Sequence, residues 1–153
     1  MKHKQANAFK DAFIREVNVS YRKTKTQGSS IKCAEDIAKF VRSVLTDNSR
    51  EHLVALYLDG AHNVASYSII SIGTANFAPV CPREIFQRAV LVGAVALVIA
   101  HNHPSANLEP SREDIQITKQ IVEAGKVIGI PVHDHIIIAG AKYTSFAERG
   151  LIA

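Results

Sequence analysis

Two histidines one residue apart, His101 and His103, close an apolar run, and Ser111 and Asp114 follow after a seven-residue loop, Pro104 to Pro110. Strand side chains alternate with a period of two, so the histidines face one side, as two ligands of one metal ion must. Pro104 ends the strand there, and in open α/β sheets strand ends are where binding crevices form. Two imidazoles do not make a stable zinc site; catalytic zinc usually takes three protein ligands and keeps the fourth position for water. Asp114 supplies the third, because the loop can fold a helix beginning at Ser111 back over the strand end. Ser111-x-x-Asp114 before an apolar-periodic helix also has the form of a capping box, so the serine has two readings. Hydrolysis at a metal further needs a proton acceptor that is not itself a ligand. Glu113 points about 100° away from Asp114 around the helix. Glu109 sits in the loop, and spacing leaves the distant Glu51 and Glu84 both open.

The surrounding elements must position these groups. "CAEDIAKFVRSVL" sets Ile37, Phe40, Val41, Val44 and Leu45 at helical spacing, before the polar stop "TDNS". "EHLVALYLDGAHNVASYSIISIG" predicts a hairpin of strands over 52–58 and 63–73, with "DGAHN" as its turn. Pro82 suits the first turn of a helix carrying Ile85, Phe86, Ala89 and Val90. Ala94 to Ala100 is apolar on both faces, as a covered central strand would be. The next helix, Ser111 to Ile128, carries Ile117, Ile121, Ala124 and Ile128 along one stripe. "IPVHDHIIIAG" predicts a further strand and "TSFAERG" a short final helix ending at Gly150. A second His-x-His, His133 and His135, has no third ligand at matching spacing and reads as structural or as support behind the ligands.

The 153 residues suit one domain with a single core, and 47% of them are apolar. The longest apolar run, Ala89 to Ala100, spans 12 residues, short of the ~20 that cross a bilayer. Cys33 and Cys81 form no Cys-x-x-Cys pair, so neither a zinc ribbon nor a disulfide framework is indicated, and Cys81 reads as a small core residue. No membrane association is expected, and a reducing, cytoplasmic setting is. The net charge of +4 is uneven, since residues 1–30 hold seven cations (Lys2, Lys4, Lys10, Arg15, Arg22, Lys23, Lys25) against Asp11 and Glu16.

The composite His101-x-His103, seven residues, Ser111-x-x-Asp114 resembles the JAMM motif of the JAB1/MPN metalloprotease superfamily. More narrowly, "PREIF", "AHNHPS", "PSREDI", "GIPVHDHIII" and "SFAERGL" resemble the bacterial RadC family. The resemblance implies a RadC-like domain over residues 31–153, and the charge pattern marks residues 1–30 as a basic amino-terminal extension. The implied fold is α/β, JAB1/MPN and cytidine deaminase-like, three layers with a mixed central sheet flanked by helices. It implies Zn2+ held by His101, His103 and Asp114. It gives Ser111 the scissile carbonyl or its oxyanion, and makes Glu51, which opens "EHLVALYLD", the residue acting on the water. The implied activity is that of a zinc-dependent metallopeptidase or isopeptidase on a protein or peptide substrate. A zinc deaminase would instead show His-x-Glu and Pro-Cys-x-x-Cys, which this chain lacks. The family usually has glycine where Ala106 stands. The alternative function is a non-catalytic, DNA-associated accessory module of DNA repair, against which the intact ligand set argues.

Basic residues neutralise phosphates, but without a base-reading element they cannot distinguish sequences. The arm over residues 1–30 is therefore expected to give only weak, sequence-independent DNA binding that collapses as salt is raised. Fluorescence anisotropy across a salt series checks this, and tight binding persisting at high salt would favour the accessory module.

Overall fold

The computed structural model describes residue 20, residues 30–73 and residues 80–152. The seven cations of the basic arm lie outside them. Five strands form one mixed, open sheet: β1 (Glu51–Leu58), β2 (Val64–Gly73), β3 (Ala96–Asn102), β4 (Val132–Ala139) and β5 (Lys142–Ser145). Their spatial order is β2-β1-β3-β4-β5. Only β3 and β4 run parallel; β1 pairs antiparallel with both β2 and β3, and β5 antiparallel with β4. The parallel pair needs a crossover, which is helix α3 (Arg112–Ile128). Helices α1 (Ala34–Val44) and α2 (Pro82–Leu91) complete three layers, an α/β architecture consistent with the fold expected from the sequence.

Alternation along the strands divides the core in two. Val54, Leu56 and Leu58 of β1 and Ala96, Val98 and Ala100 of β3 pack under Ile37, Phe40 and Val41 of α1. The residues between them, Leu53, Ala55 and Tyr57 with Leu97 and Ile99, pack against α2 and α3. The next odd residue on β3 is His101, so the same parity that builds the second core delivers an imidazole to its rim.

Three expectations are corrected. The buried stripe of α3 is Asp114, Thr118, Ile121 and Gly125, whereas Ile117 and Ala124 lie half-buried on its flank and Ile128 is exposed. The polar end of this stripe is what turns toward β3, so hydrophobic spacing alone mis-sets the helix by a fraction of a turn. The segment "TSFAERG" is not a helix: its first two residues end β5 and the rest form turns. Phe146 instead stacks on His135 at 4.5 Å, and Ser145 Oγ donates to Asp134 Oδ2 at 2.6 Å. Cys81 is half-buried at the N-cap of α2 rather than in the core.

Among the described residues no helix is long and apolar enough to cross a membrane. Gly125 is the close-contact point between α3 and its surroundings, since a Cβ there would lie 2.6 Å from the backbone oxygen of Ile130 and 3.2 Å from the Phe86 ring. A backbone oxygen cannot swing away. Gly125→Ala is therefore expected to lose about 1–3 kcal/mol despite alanine's better helix propensity, as read by chemical denaturation.

Candidate metal centre

Strand β3 carries His101 within its last hydrogen-bonded turns of ladder, paired to Leu53 on one side and Ile137 on the other. His103 follows just past the strand, its backbone N–H still donating to Ile138 O at 2.8 Å. The chain then turns through Ala106, whose φ of +60° lies in the left-handed region where glycine is at home. This accounts for the glycine usual in the resembled family at that position. The loop ends at Ser111, the N-cap of α3, and Asp114 lies in the first helical turn.

Both readings of Ser111-x-x-Asp114 meet in one geometry. Ser111 Oγ accepts from Asp114 N–H at 3.0 Å, while Ser111 N–H and Oγ–H both donate to Asp114 Oδ2, at 2.8 and 2.6 Å. The capping box is thus formed, and it commits Oδ2. Asp114 Oδ1 lies 3.3 Å from His101 Nε2, and Oδ2 lies 3.6 Å from His103 Nε2. The two Nε2 atoms are 2.8 Å apart. Ligands about 2.0–2.1 Å from a tetrahedral zinc lie about 3.3 Å from one another, so the carboxylate separations suit one small cation and the two imidazoles would part by about half an ångström to share it. His101, His103 and Asp114 are the group among the described residues that could hold a metal ion.

The hydrogen bonds also say which atoms offer lone pairs. His103 Nδ1 lies 2.7 Å from Asn107 O, and a carbonyl only accepts, so Nδ1 carries a proton and Nε2 is the ligating atom. His101 Nδ1 lies 2.7 Å from Nε2 of His135, leaving its own Nε2 toward the centre. Hydrogen bonding to Asp114 chiefly raises the His103 pKa above its ordinary 6.5, against the effect of burial. Burial opposes ionisation of Asp114, but the neighbouring His101 and His103 and the Ser111 hydroxyl outweigh it and hold the carboxyl far below the usual range. Without metal, a proton on His103 Nε2 would face His101 Nε2 and the Asp114 carboxylate, where the cation would sit.

Among the candidate proton acceptors, Glu51 opens β1 and shares a cleft with His52, Leu53, Ser71, Gly73, Val80 and His101. Its charge reaches His103, contributing to that raised pKa. Glu84 is exposed on α2 and faces Arg88 at 3.8 Å. Glu109 pairs with Arg149 at 2.9 Å, and Glu113 is exposed. Sequence reasoning missed Asn102, which faces away from His101. Its Oδ1 accepts from His52 N–H at 2.8 Å and its Nδ2 donates to Arg50 O and Asn48 Oδ1 at 2.9 and 2.8 Å. It clamps the chain on both sides of Glu51. The signal was present, an asparagine between two histidines, but its partner lies 50 residues away.

The second His-x-His does not behave as a unit. A register shift between β3 and β4 falls at His133, with Leu97 opposite Val132 and Val98 opposite Asp134. The extra residue breaks the period of two. His133 is exposed with its ring 5.1 Å from His62, whereas His135 is wholly buried beneath His101.

The model of the RadC-like JAB domain matches residues 31–151. A UPF0758 protein of Desulforamulus reducens is 48% identical over 122 residues, 80% of this chain and 54% of its own length. One from Salinibacter ruber is 42% identical over 92% of this chain and 60% of its own, and one from Methanococcoides burtonii 42% identical over 80% and 54%. The chain thus spans little more than half the length of these relatives.

A cation entering this centre must displace the His103 proton. Because that pKa is raised, metal affinity is expected to climb as pH rises through and above 6.5 and then level off, with close to one proton released per metal near the bottom of this range. The His103 pairing stabilises the metal-free chain fully below about 6.5 and is lost as pH rises through the folded pKa. Calorimetric zinc titration in buffers of different protonation enthalpy measures the release, and His103→Ala should abolish it along with binding.

Proposed function

The chain belongs to the RadC-like JAB domain family, and from that premise we propose that it is a zinc-dependent hydrolase, a peptidase or isopeptidase acting on a protein or peptide amide. The observation that carries this reading is the convergence of His101 Nε2, His103 Nε2 and Asp114 Oδ1 beside a cleft that Glu51 also lines. Zinc, when bound by these three side chains, supplies Lewis acidity that polarises the amide carbonyl and acidifies water. Glu51 accepts the proton of the attacking water and hands it to the leaving amine. Asn102 keeps the backbone on either side of Glu51 in place for that transfer. Ser111 stands exposed at the mouth of α3, where its hydroxyl, given to Asp114 in the resting chain, turns to the developing oxyanion. Cys33 and Cys81 are both free, which suits the reducing, cytoplasmic setting proposed here.

The test is metal analysis of the purified chain followed by an unbiased peptide-cleavage screen. Glu51→Gln is expected to keep zinc and thermal stability while losing turnover; full activity would remove Glu51 from the mechanism. Ser111→Ala should cost about 1 kcal/mol as a lost cap. If its hydroxyl also serves the oxyanion, the rate should fall by about 10² to 10³ under conditions where the variant is fully folded. A stable cleavage rate in Ser111→Ala would leave only the cap.

A further inference from the structure

Behind His101 the hydrogen bonds continue into the protein. His135 Nε2 lies 2.7 Å from His101 Nδ1, and His135 Nδ1 lies 2.6 Å from Thr118 Oγ1. Thr118 Oγ1 lies 2.5 Å from the backbone oxygen of Asp114. All three side chains are buried, His135 completely and Thr118 with 1% of its surface exposed. The direction of each bond follows from what its ends can do. A carbonyl has no proton to give, so Thr118 spends its single hydroxyl proton on Asp114 O. Toward His135 it can then only accept, so Nδ1 of His135 must carry the imidazole proton. In a neutral ring Nε2 is left as the acceptor, and His101 Nδ1 must donate to it. His101 Nε2 is therefore bare and faces Asp114 Oδ1 and His103 Nε2.

We propose that Thr118 and His135 are positioning residues that fix the tautomer of His101, keeping its Nε2 lone pair open to the metal. This deepens the proposed zinc site and rests on that reading. The wire joins two of the three candidate ligands: Asp114 gives the cation an oxygen from its side chain and, through its backbone carbonyl, sets the proton on His101 three bonds further along. Phe146, stacked on His135 at 4.5 Å, closes the far face of the ring and holds it in line. Sequence spacing reads His135 as structural or as support behind the ligands and does not single out Thr118, and neither touches the cleft that Glu51 lines.

The experiment uses the full chain with 15N-labelled histidine, with zinc alone as the probe. Long-range 1H–15N spectra assign the protonated nitrogen of each ring, and competition with a chelator gives the zinc Kd. In the unaltered chain His135 should carry its proton on Nδ1 and His101 on Nδ1, before and after zinc. Finding the His135 proton on Nε2 would overturn the proposal without any variant. Thr118→Val keeps the shape of the side chain but removes the acceptor. It should shift the His135 proton toward Nε2 and weaken zinc by about 10-fold or more, with Thr118→Ser retaining both properties. Equal loss in Thr118→Ser and Thr118→Val, or no change in either, would reduce Thr118 to packing and refute the wire. A chain that binds zinc with the expected tautomers but cleaves nothing would refute the hydrolase and leave this inference standing.

Discussion

A buried carboxylate in the first turn of α3 governs the rest of this molecule. Asp114 is 1% exposed, and an ionised group at such depth survives only if every lone pair is answered. Ser111 answers Oδ2 twice, and the side that faces the histidines is left for a proton on His103 or a bound cation. The same contacts tie the helix start to the end of β3, so fixing the charge also fixes the angle at which the crossover helix lies on the sheet. That angle explains why the inner stripe of α3 is polar at its beginning and apolar only from Ile121 onward.

The sheet converts this local demand into a site with walls. A central strand buried on both faces must send alternate residues into different cores, and at its end the alternation places His101 on the α3 side and Asn102 on the α1 side. One residue joins the charged cluster while its neighbour clamps the start of β1. The metal-binding group and the carboxylate of Glu51 are thus registered against each other by the antiparallel pairing of β1 and β3. A slip of one residue in that pairing would send His101 to the other face.

The carboxy-terminal part of the fold supports this from behind. Asp134, buried and bonded to His135 N–H, Ser145 Oγ–H and Ala147 N–H, folds the chain after β5 back over β4. This brings Phe146 onto the His135 ring. Glu109 and Arg149 meet on the surface above, linking the loop after the histidines to the same turn. A segment that spacing suggested as a helix is therefore used as a brace, and its aromatic residue is more valuable against an imidazole than along a helical stripe.

By itself the sequence determined what depends on neighbours along the chain. The period of two brought His101 and His103 to one side, Ser-x-x-Asp made a cap, and the apolar runs set the helices, the hairpin and the covered central strand. It also carried the motif on which the family resemblance rests. What it could not decide depended on contacts between distant segments. The choice between Glu51 and Glu84 as neighbour of the cluster turns on which strand lies beside β3. The separation of His133 from His135 turns on a bulge that exists only when β4 pairs with β3. The polarity of the His135 and Thr118 bonds turns on burial, because a hydroxyl or imidazole exposed to water could exchange partners freely. Local patterns encode the donors, and only the packed interior, by removing water as an alternative partner, decides which atom each one faces.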